Sequence, residues 1–544
     1  MRSKIRNWRG WAAAGTLLAV VTTTAATAPA ADSGQHLGPE ITAIMHKPGY
    51  EYARWGVTET DLETGRVIHA MGAGQFFIPG SAEKLFSVSG AWHTLGGDHR
   101  FTTPVQALGR RHGGVLTGDL ALVAQGDLTM GGRTAPDGSV SYTSIDHTYA
   151  NSLPGATLTP EDPLAGINDL AAQVRRSGIT EVRGDVIVDD RVFTPPALDP
   201  RPYPLIINDN VIDLLTTPTR PGRPARLSWR PQVAPYQVTS TVRTVAAGGT
   251  TDIEVSASDD GTRITLSGTI AADAQPTLRI SAVQDPAAFG RTALIEALGR
   301  AGVKVTAAAT GPNPEGELPP SPIGGRRVAA YVSPVYAEYA KLILKVSHNL
   351  GANLALCNMA VTTGSHDCTD GFPVLRSFLK RAGVDPGQIQ LADGRGGDPV
   401  DRATPVALEQ MLHYWQGTPD ADRFRLALPI LGVDGSLSAS CTDCPAKGKV
   451  FAKTGTVVGF DTLNQRFAVG GQTLAGYLEA ADGRLHTFFV GVNGASTPDI
   501  QGVFGVADDV NSIAALLQEQ AARGDDHGHG HGHGHAGRRA GGTA

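Results

Sequence analysis

Apolar residues recur at helical spacing in four blocks, 333–347, 350–362, 371–382 and 404–416, and once more near 506–522. Shorter, strand-like runs lie around them. Tyr52 to Glu59 and Arg66 to Met71 flank Glu63-Thr64-Gly65 and predict a hairpin. The stretches 450–458, 474–480 and 485–493 predict three strands just ahead of the last helix. Phe76 to Gly80 also reads as strand-like, and Leu85, Phe86, Val88, Ala91, Trp92 and Leu95 then predict a helix opening at Ser81.

After Gly96-Gly97 the texture changes. Residues 101–330 hold strand-like runs at Gly118 to Val123, Val182 to Val188 and Ile264 to Ile270, with amphipathic helices near 163–177 and 286–302. Between those helices, about 190–285 is rich in Pro, Thr and Arg and has β character with hardly any helical periodicity. The pattern predicts one insertion nested within another. Segments 101–190 and 285–330 make an inserted domain, 190–285 a second, β-rich one, and 40–100 with 331–522 a split α/β domain.

At 544 residues the chain is too long for one core. Its 41% hydrophobic and 18% charged content is that of a globular protein. Arg2, Lys4, Arg6 and Arg9, an apolar stretch from Trp11 to Val21, and Ala28-Pro29-Ala30 predict a cleaved secretory leader over 1–30. Thr22-Thr23-Thr24 ends the apolar run well short of the ~20 residues a membrane anchor needs, and no other segment predicts a span. Losing the leader's four basic residues takes the formal net charge from −6 to −10. With no basic stripe, that balance excludes nucleic acid as a natural partner. Four cysteines in an exported chain predict two disulfides, Cys357 with Cys368 and Cys441 with Cys444. A Cys₄ zinc site is the competing reading, disfavoured by the long gap in the first pair. A redox Cys-x-x-Cys would need a βαβ setting that is missing. Residues 523–544, with His527, His529, His531, His533 and His535 alternating with Gly, predict a disordered tail able to hold transition metals only loosely.

Three short motifs then carry the chemistry: Ser81-Ala82-Glu83-Lys84, Ser347-His348-Asn349 and Lys453-Thr454-Gly455-Thr456. Singly each has a plain explanation. Ser81 would serve as a helix cap, Lys84 as a solvated charge, Asn349 as a turn residue and Gly455 as a bulge. Jointly, and in this order, they describe an acyl-transfer site. Ser81 and Lys84 lie one helical turn apart, so a desolvated lysine can take the serine proton. The Ser81 N–H and the Thr456 N–H would form an oxyanion hole, and Gly455 would let a substrate backbone lie close to the strand. Lys453 with the Thr454 and Thr456 hydroxyls suits a carboxylate, Ser347 can relay a proton to the leaving amine, and Asn349 can hold both Lys84 and a substrate amide.

The chain resembles the D-alanyl-D-alanine carboxypeptidase/endopeptidase family, the low-molecular-mass class C penicillin-binding proteins. Beyond the three motifs the resemblance rests on Pro79-Gly80, Gly118-Asp119-Leu120, Gly184 to Asp190 and Gly432 to Leu437, and it spans about 40–520. It implies an α/β (α+β) transpeptidase/β-lactamase-like domain with two nested, mainly β inserted domains. It also implies Ser81 as the acylated nucleophile, Lys84 as its base, Ser347 and Asn349 as the second motif and Lys453 as the carboxylate-binding cation. Peptidoglycan stem peptides and β-lactams are the implied partners, with no cofactor and no metal. Family members often carry Asp-Gly-Ser-Gly-Leu-Ser after the second motif. Here the stretch is Asp393-Gly394-Arg395-Gly396-Gly397-Asp398, followed by Arg402-Ala403-Thr404-Pro405, and the exchange of serine for Arg395 bears on substrate preference. Two other readings are a β-lactamase or esterase on the same scaffold and an inactive wall-binding protein. The first lacks a Glu-x-x-x-Asn stretch between the second and third motifs, and an intact trio argues against the second.

Overall fold

Along the strand Arg466–Glu479, Leu474 and Leu478 point to one core while Ala475 and Tyr477 point to another. A strand sends alternate side chains to opposite faces, so a sheet covered on both sides needs apolar residues at successive positions. Leu485–Asn493 has that character, with all seven internal residues buried. The computed structural model describes residues 37–320 and 325–523; the leader and the His/Gly-rich tail lie outside them. In it the two strands belong to an antiparallel sheet in the order Val450–Asp461, Arg466–Glu479, Leu485–Asn493, Arg54–Asp61, Val67–Met71. Residues from the two ends of the chain thus share one sheet.

One face packs on the helix Ile500–Arg523 through Val506, Val510, Ile513 and Leu517. That helix is long and apolar enough to cross a membrane by length and composition, yet these buried residues face the sheet, which accounts for its hydropathy. The other face carries the helices Lys84–Leu95, Tyr336–Lys345, Asn349–Val361, Gly371–Arg381 and Pro405–Gln416 around one core. Each fully buried Phe, Leu or Val contributes about 1.5–3 kcal/mol. Lys84–Leu95 is the central helix, buried at every position from Lys84 to Trp92. Its polar residues therefore need partners: Ser87 donates to the Gly394 carbonyl at 2.7 Å, and Ser89 accepts from the Trp415 indole N–H at 2.7 Å. Cys357 and Cys368 are joined across the link between Asn349–Val361 and Gly371–Arg381, and Cys441 is joined to Cys444.

The segment 102–332 leaves and rejoins this body at one place. The Phe101 N–H donates to Ser333 Oγ, and the Ser333 N–H donates to the Phe101 carbonyl, both at 2.9 Å. Within the segment a mixed sheet runs Lys304–Val305, Glu181–Arg183, Val115–Val123, Thr102–His112, Arg326–Val332, and Ala165–Arg176 and Pro286–Arg300 pack against it. Two smaller sheets follow, one centred on Val211–Thr217 and the other on Arg263–Ala271. The run Val182 to Val188 is two strands, not one. Asp185 turns away from the ladder to pair with Arg291 at 2.6 Å, and its N–H donates to Asp119 at 2.7 Å. Phe76 to Gly80 is not a strand either. Pro79 has no N–H to give a ladder, and only Phe77 pairs, in an isolated bridge with Ala403.

Candidate active site

Ser81 lies in a 3₁₀ turn, Gly80–Glu83, and the α-helix begins at Lys84, one residue triplet later than the apolar spacing predicts. The turn forms because Gly80 adopts a φ of +51°, a region costly to other residues. A Cβ on Gly80 would also lie 2.6 Å from the Thr456 backbone nitrogen. On the facing strand, a Cβ on Gly455 would collide with the Pro79 carbonyl and come within 2.8 Å of the Ala82 nitrogen. Gly455 therefore makes room for the Ser81 turn itself, where the sequence suggested room for a substrate. The Thr473 hydroxyl fastens this contact by donating to Pro79 O at 2.6 Å.

The Lys84 amine is enclosed by three oxygens: Ser81 Oγ at 2.7 Å, Asn349 Oδ1 at 2.8 Å and the Arg395 carbonyl at 2.9 Å. Burial draws its pKa down to about 7, against the opposing pull of Glu83 and Asp393. Glu83, beside it, is wholly buried with Asp393 and Asp401, and neither of its oxygens meets a hydrogen-bond donor in the protein. Burial first, then the two neighbouring carboxyls, push Glu83 well above the usual carboxylate range. The same burial that raises Glu83 weakens it as a counter-charge to Lys84.

Ser347 joins Tyr336–Lys345 to Asn349–Val361 with a φ of +61°. Its hydroxyl accepts from Lys453 Nζ at 2.9 Å, and that amine also donates to Thr454 O at 2.8 Å. Lys453 is wholly buried, and burial followed by the nearby Lys84 holds its pKa well below the ordinary lysine range. Among the described residues no carboxylate is among the charges that act on it. An anion arriving there would supply the missing charge. Thr454 shares a hydrogen bond with Ser436 at 2.8 Å, and Thr456 donates to Gln472 at 2.7 Å.

Two hydrogen-bonded sets thus meet at the second motif: Lys84 holds Ser81 and Asn349, and Lys453 holds Ser347, with Thr454, Gly455 and Thr456 on the strand that carries Lys453. Sequence reasoning missed the Arg395 carbonyl, which no side-chain pattern reveals. The loop carrying it is shaped by Asp393, whose Oδ1 accepts the N–H groups of Arg395 and Gly396 at 2.8 and 2.7 Å. The Arg395 guanidinium turns back to Asp393 at 3.3 Å. Glu83 was also missed, although an acidic residue inside a buried helical motif was a visible signal. The disulfides lie apart from this cluster.

Known proteins share this arrangement's framework. The model of the D-Ala-D-Ala carboxypeptidase 3 (S13) family matches residues 37–504. A D-alanyl-D-alanine carboxypeptidase of an Actinomadura species is 28% identical over 490 residues, covering 85% of this chain and 82% of its own. A D-alanyl-D-alanine carboxypeptidase of Haemophilus influenzae is 22% identical, covering 82% and 86%. The crystal structure of penicillin binding protein 4 from H. influenzae superposes with a TM-score of 0.65 at 21% identity, covering 88% of this chain and 99% of that one. A β-lactam complex of that protein gives 0.66 at 23% identity, covering 89% and 99%. These likenesses in structure establish the mixed α/β penicillin-binding fold. The family model spans far more than half of the sequence, and the chain belongs to the D-Ala-D-Ala carboxypeptidase 3 (S13) family.

Proposed function

We propose that this peptidase is an exported serine enzyme that cleaves D-Ala-D-Ala termini and cross-links of peptidoglycan stem peptides through an acyl-enzyme on Ser81. Penicillins would acylate the same residue. The observation that carries the reading is the Lys84 amine, buried, drawn to about 7 and 2.7 Å from Ser81 Oγ. In its neutral form it accepts the serine proton as Oγ attacks the scissile carbonyl carbon. The developing oxyanion meets the Ser81 and Thr456 N–H groups. Ser347 passes its proton to the leaving nitrogen and takes up in exchange the one that Lys84 received, the C–N bond breaks, and an ester remains on Ser81. Water then attacks that ester and restores the serine hydroxyl. Lys453, with Thr454 and Thr456 beside it, receives the substrate carboxylate, and Asn349 holds the Lys84 amine and the substrate amide. The split 40–100/331–522 domain carries this chemistry, with no cofactor or metal called on.

The test is labelling of the full chain with a fluorescent penicillin, beside Ser81→Ala, followed by mass spectrometry of products from defined muropeptides. The reading expects a stable, Ser81-dependent label together with released D-alanine or resolved cross-links. Rapid turnover of the penicillin would instead indicate a β-lactamase or esterase. A chain that takes no label and releases nothing would be a wall-binding protein without activity.

A further inference from the structure

His348, the central residue of the second motif, has a role that the acyl-transfer reading above leaves unused. Its side chain is wholly buried. Nδ1 accepts the Gly351 N–H at 3.0 Å and so caps the helix Asn349–Val361. An acceptor at Nδ1 places the imidazole proton on Nε2. That nitrogen lies 3.1 Å from Oδ1 of Asp209, a residue 139 positions away in the 102–332 segment; the pair is in close contact without the alignment of a hydrogen bond, and neither atom has a hydrogen-bond partner elsewhere in the protein.

Asp209 is itself held from several sides. Oδ2 accepts from Arg133 and from His147, both at 2.7 Å. His147 also donates to Asp213 at 2.6 Å, and Arg133 pairs with Asp146 through two contacts of 2.6 and 3.0 Å. Arg230 closes the cluster on Asp213 at 3.2 Å. Burial would lower the His147 pKa, but Asp213 and Asp146 outweigh it and push it up to about 10. His147 is therefore a cation with both nitrogens donating, and Asp209 is a fully charged carboxylate between two cations. The backbone is bent to put it there: Asn208, Asp209 and Asn210 have φ of +52°, +54° and +55°. Three consecutive left-handed residues are costly and persist where the surroundings fix them. A second contact reaches the same motif, since the Tyr149 hydroxyl donates to the Ser347 carbonyl.

We propose that Asp209 is a positioning residue of the acyl-transfer site: by fixing the His348 imidazole from the inserted segment, it sets Ser347 against Lys453 and Asn349 against Lys84. Ser347 and Asn349 flank His348 and make those two contacts at 2.9 and 2.8 Å. A backbone shift at His348 moves both at once.

The imidazole's two contacts can be separated by substitution. In His348→Asn the side-chain oxygen takes the place of Nδ1, so the helix cap survives and the contact to Asp209 is lost. In His348→Gln the terminal amide takes the place of Nε2 and keeps an N–H facing Asp209, while the cap is lost. The experiment measures the second-order rate of Ser81 acylation by a fluorescent penicillin, and the melting temperature, for the full chain and both variants. The expected result is a crossover. His348→Asn keeps its melting temperature but acylates about 10- to 100-fold more slowly, the loss that a small misplacement of reacting groups brings. His348→Gln melts lower yet acylates within about threefold of the parent, short of that range. Asp209→Asn, if it folds, reproduces the slow acylation of His348→Asn and adds nothing to it when the two are combined. A parent chain that labels normally, with acylation following melting temperature in both His348 variants, overturns the proposal alone. A parent chain without Ser81 labelling overturns the acyl-transfer reading and this proposal with it.

Discussion

A serine hydroxyl and a lysine 2.7 Å apart do nothing while the lysine keeps its proton. Burial supplies the change, because moving an ammonium out of water favours the neutral amine. On the proposed mechanism Lys84 serves as base only in that form, so acylation should rise with pH along a single limb centred near its value of about 7. Penicillin labelling rates from pH 5.5 to 9 check this; a flat profile would assign the base elsewhere. Lys453 answers to the same physics with a different outcome. Its pKa is held low by burial and by Lys84, and a bound carboxylate would restore its charge. Lys453→Ala should therefore slow acylation by carboxylate-bearing substrates by roughly 10- to 150-fold, the worth of a charge-assisted hydrogen bond, and change a simple ester far less. Equal losses on both would give Lys453 a structural role.

At the scale of elements, the site depends on how closely a strand can approach a turn. Gly455 and Gly80 are bare where Val450–Asp461 meets Gly80–Glu83. Gly455→Ala should force the two apart, costing about 1–3 kcal/mol of stability and slowing acylation roughly 100-fold. Thermal melting and penicillin labelling of that variant measure the two effects, and unchanged acylation would show that the contact does not set the site. The helices and the C-terminal strands were legible in the sequence because their apolar residues recur at the spacing of a buried face. Less legible were the outer arms of the hairpin Val450–Asp461/Arg466–Glu479, which include Gly459, Gly470 and Gly471 and end in a tip that exposes Phe460 and Leu463. The motif residues could be read as types and in order. Their partners could not, since the Arg395 carbonyl and the Asp209 carboxylate depend on loops whose course is set by tertiary contacts.

The formal charge is −6 for the full chain and −10 without the predicted leader, and the ligands proposed for it are anions. The Lys453 pocket attracts over a few ångströms, whereas the net charge repels over about a Debye length, ~10 Å at 0.1 M salt. Raising sodium chloride from 10 to 150 mM should therefore speed acylation by an anionic penicillin, by about twofold, and leave a neutral ester unaffected. A rate that falls with salt would mean that local positive charge governs the approach. A change of texture marks 101–330 as an insertion in the sequence, but nothing in the sequence marks the pairing of Phe101 with Ser333, which joins residues more than 200 positions apart.

That attachment has a mechanical consequence. The segment is also held away from that neck: Leu128, Val140, Phe193 and Ile206 pack into the host's own core, the Tyr339 hydroxyl donates to Asp127, and the Tyr149 hydroxyl donates to the Ser347 carbonyl. Neck and packed face together make a brace. On the proposal above, a force that tilted the inserted segment would be felt at the second-motif backbone.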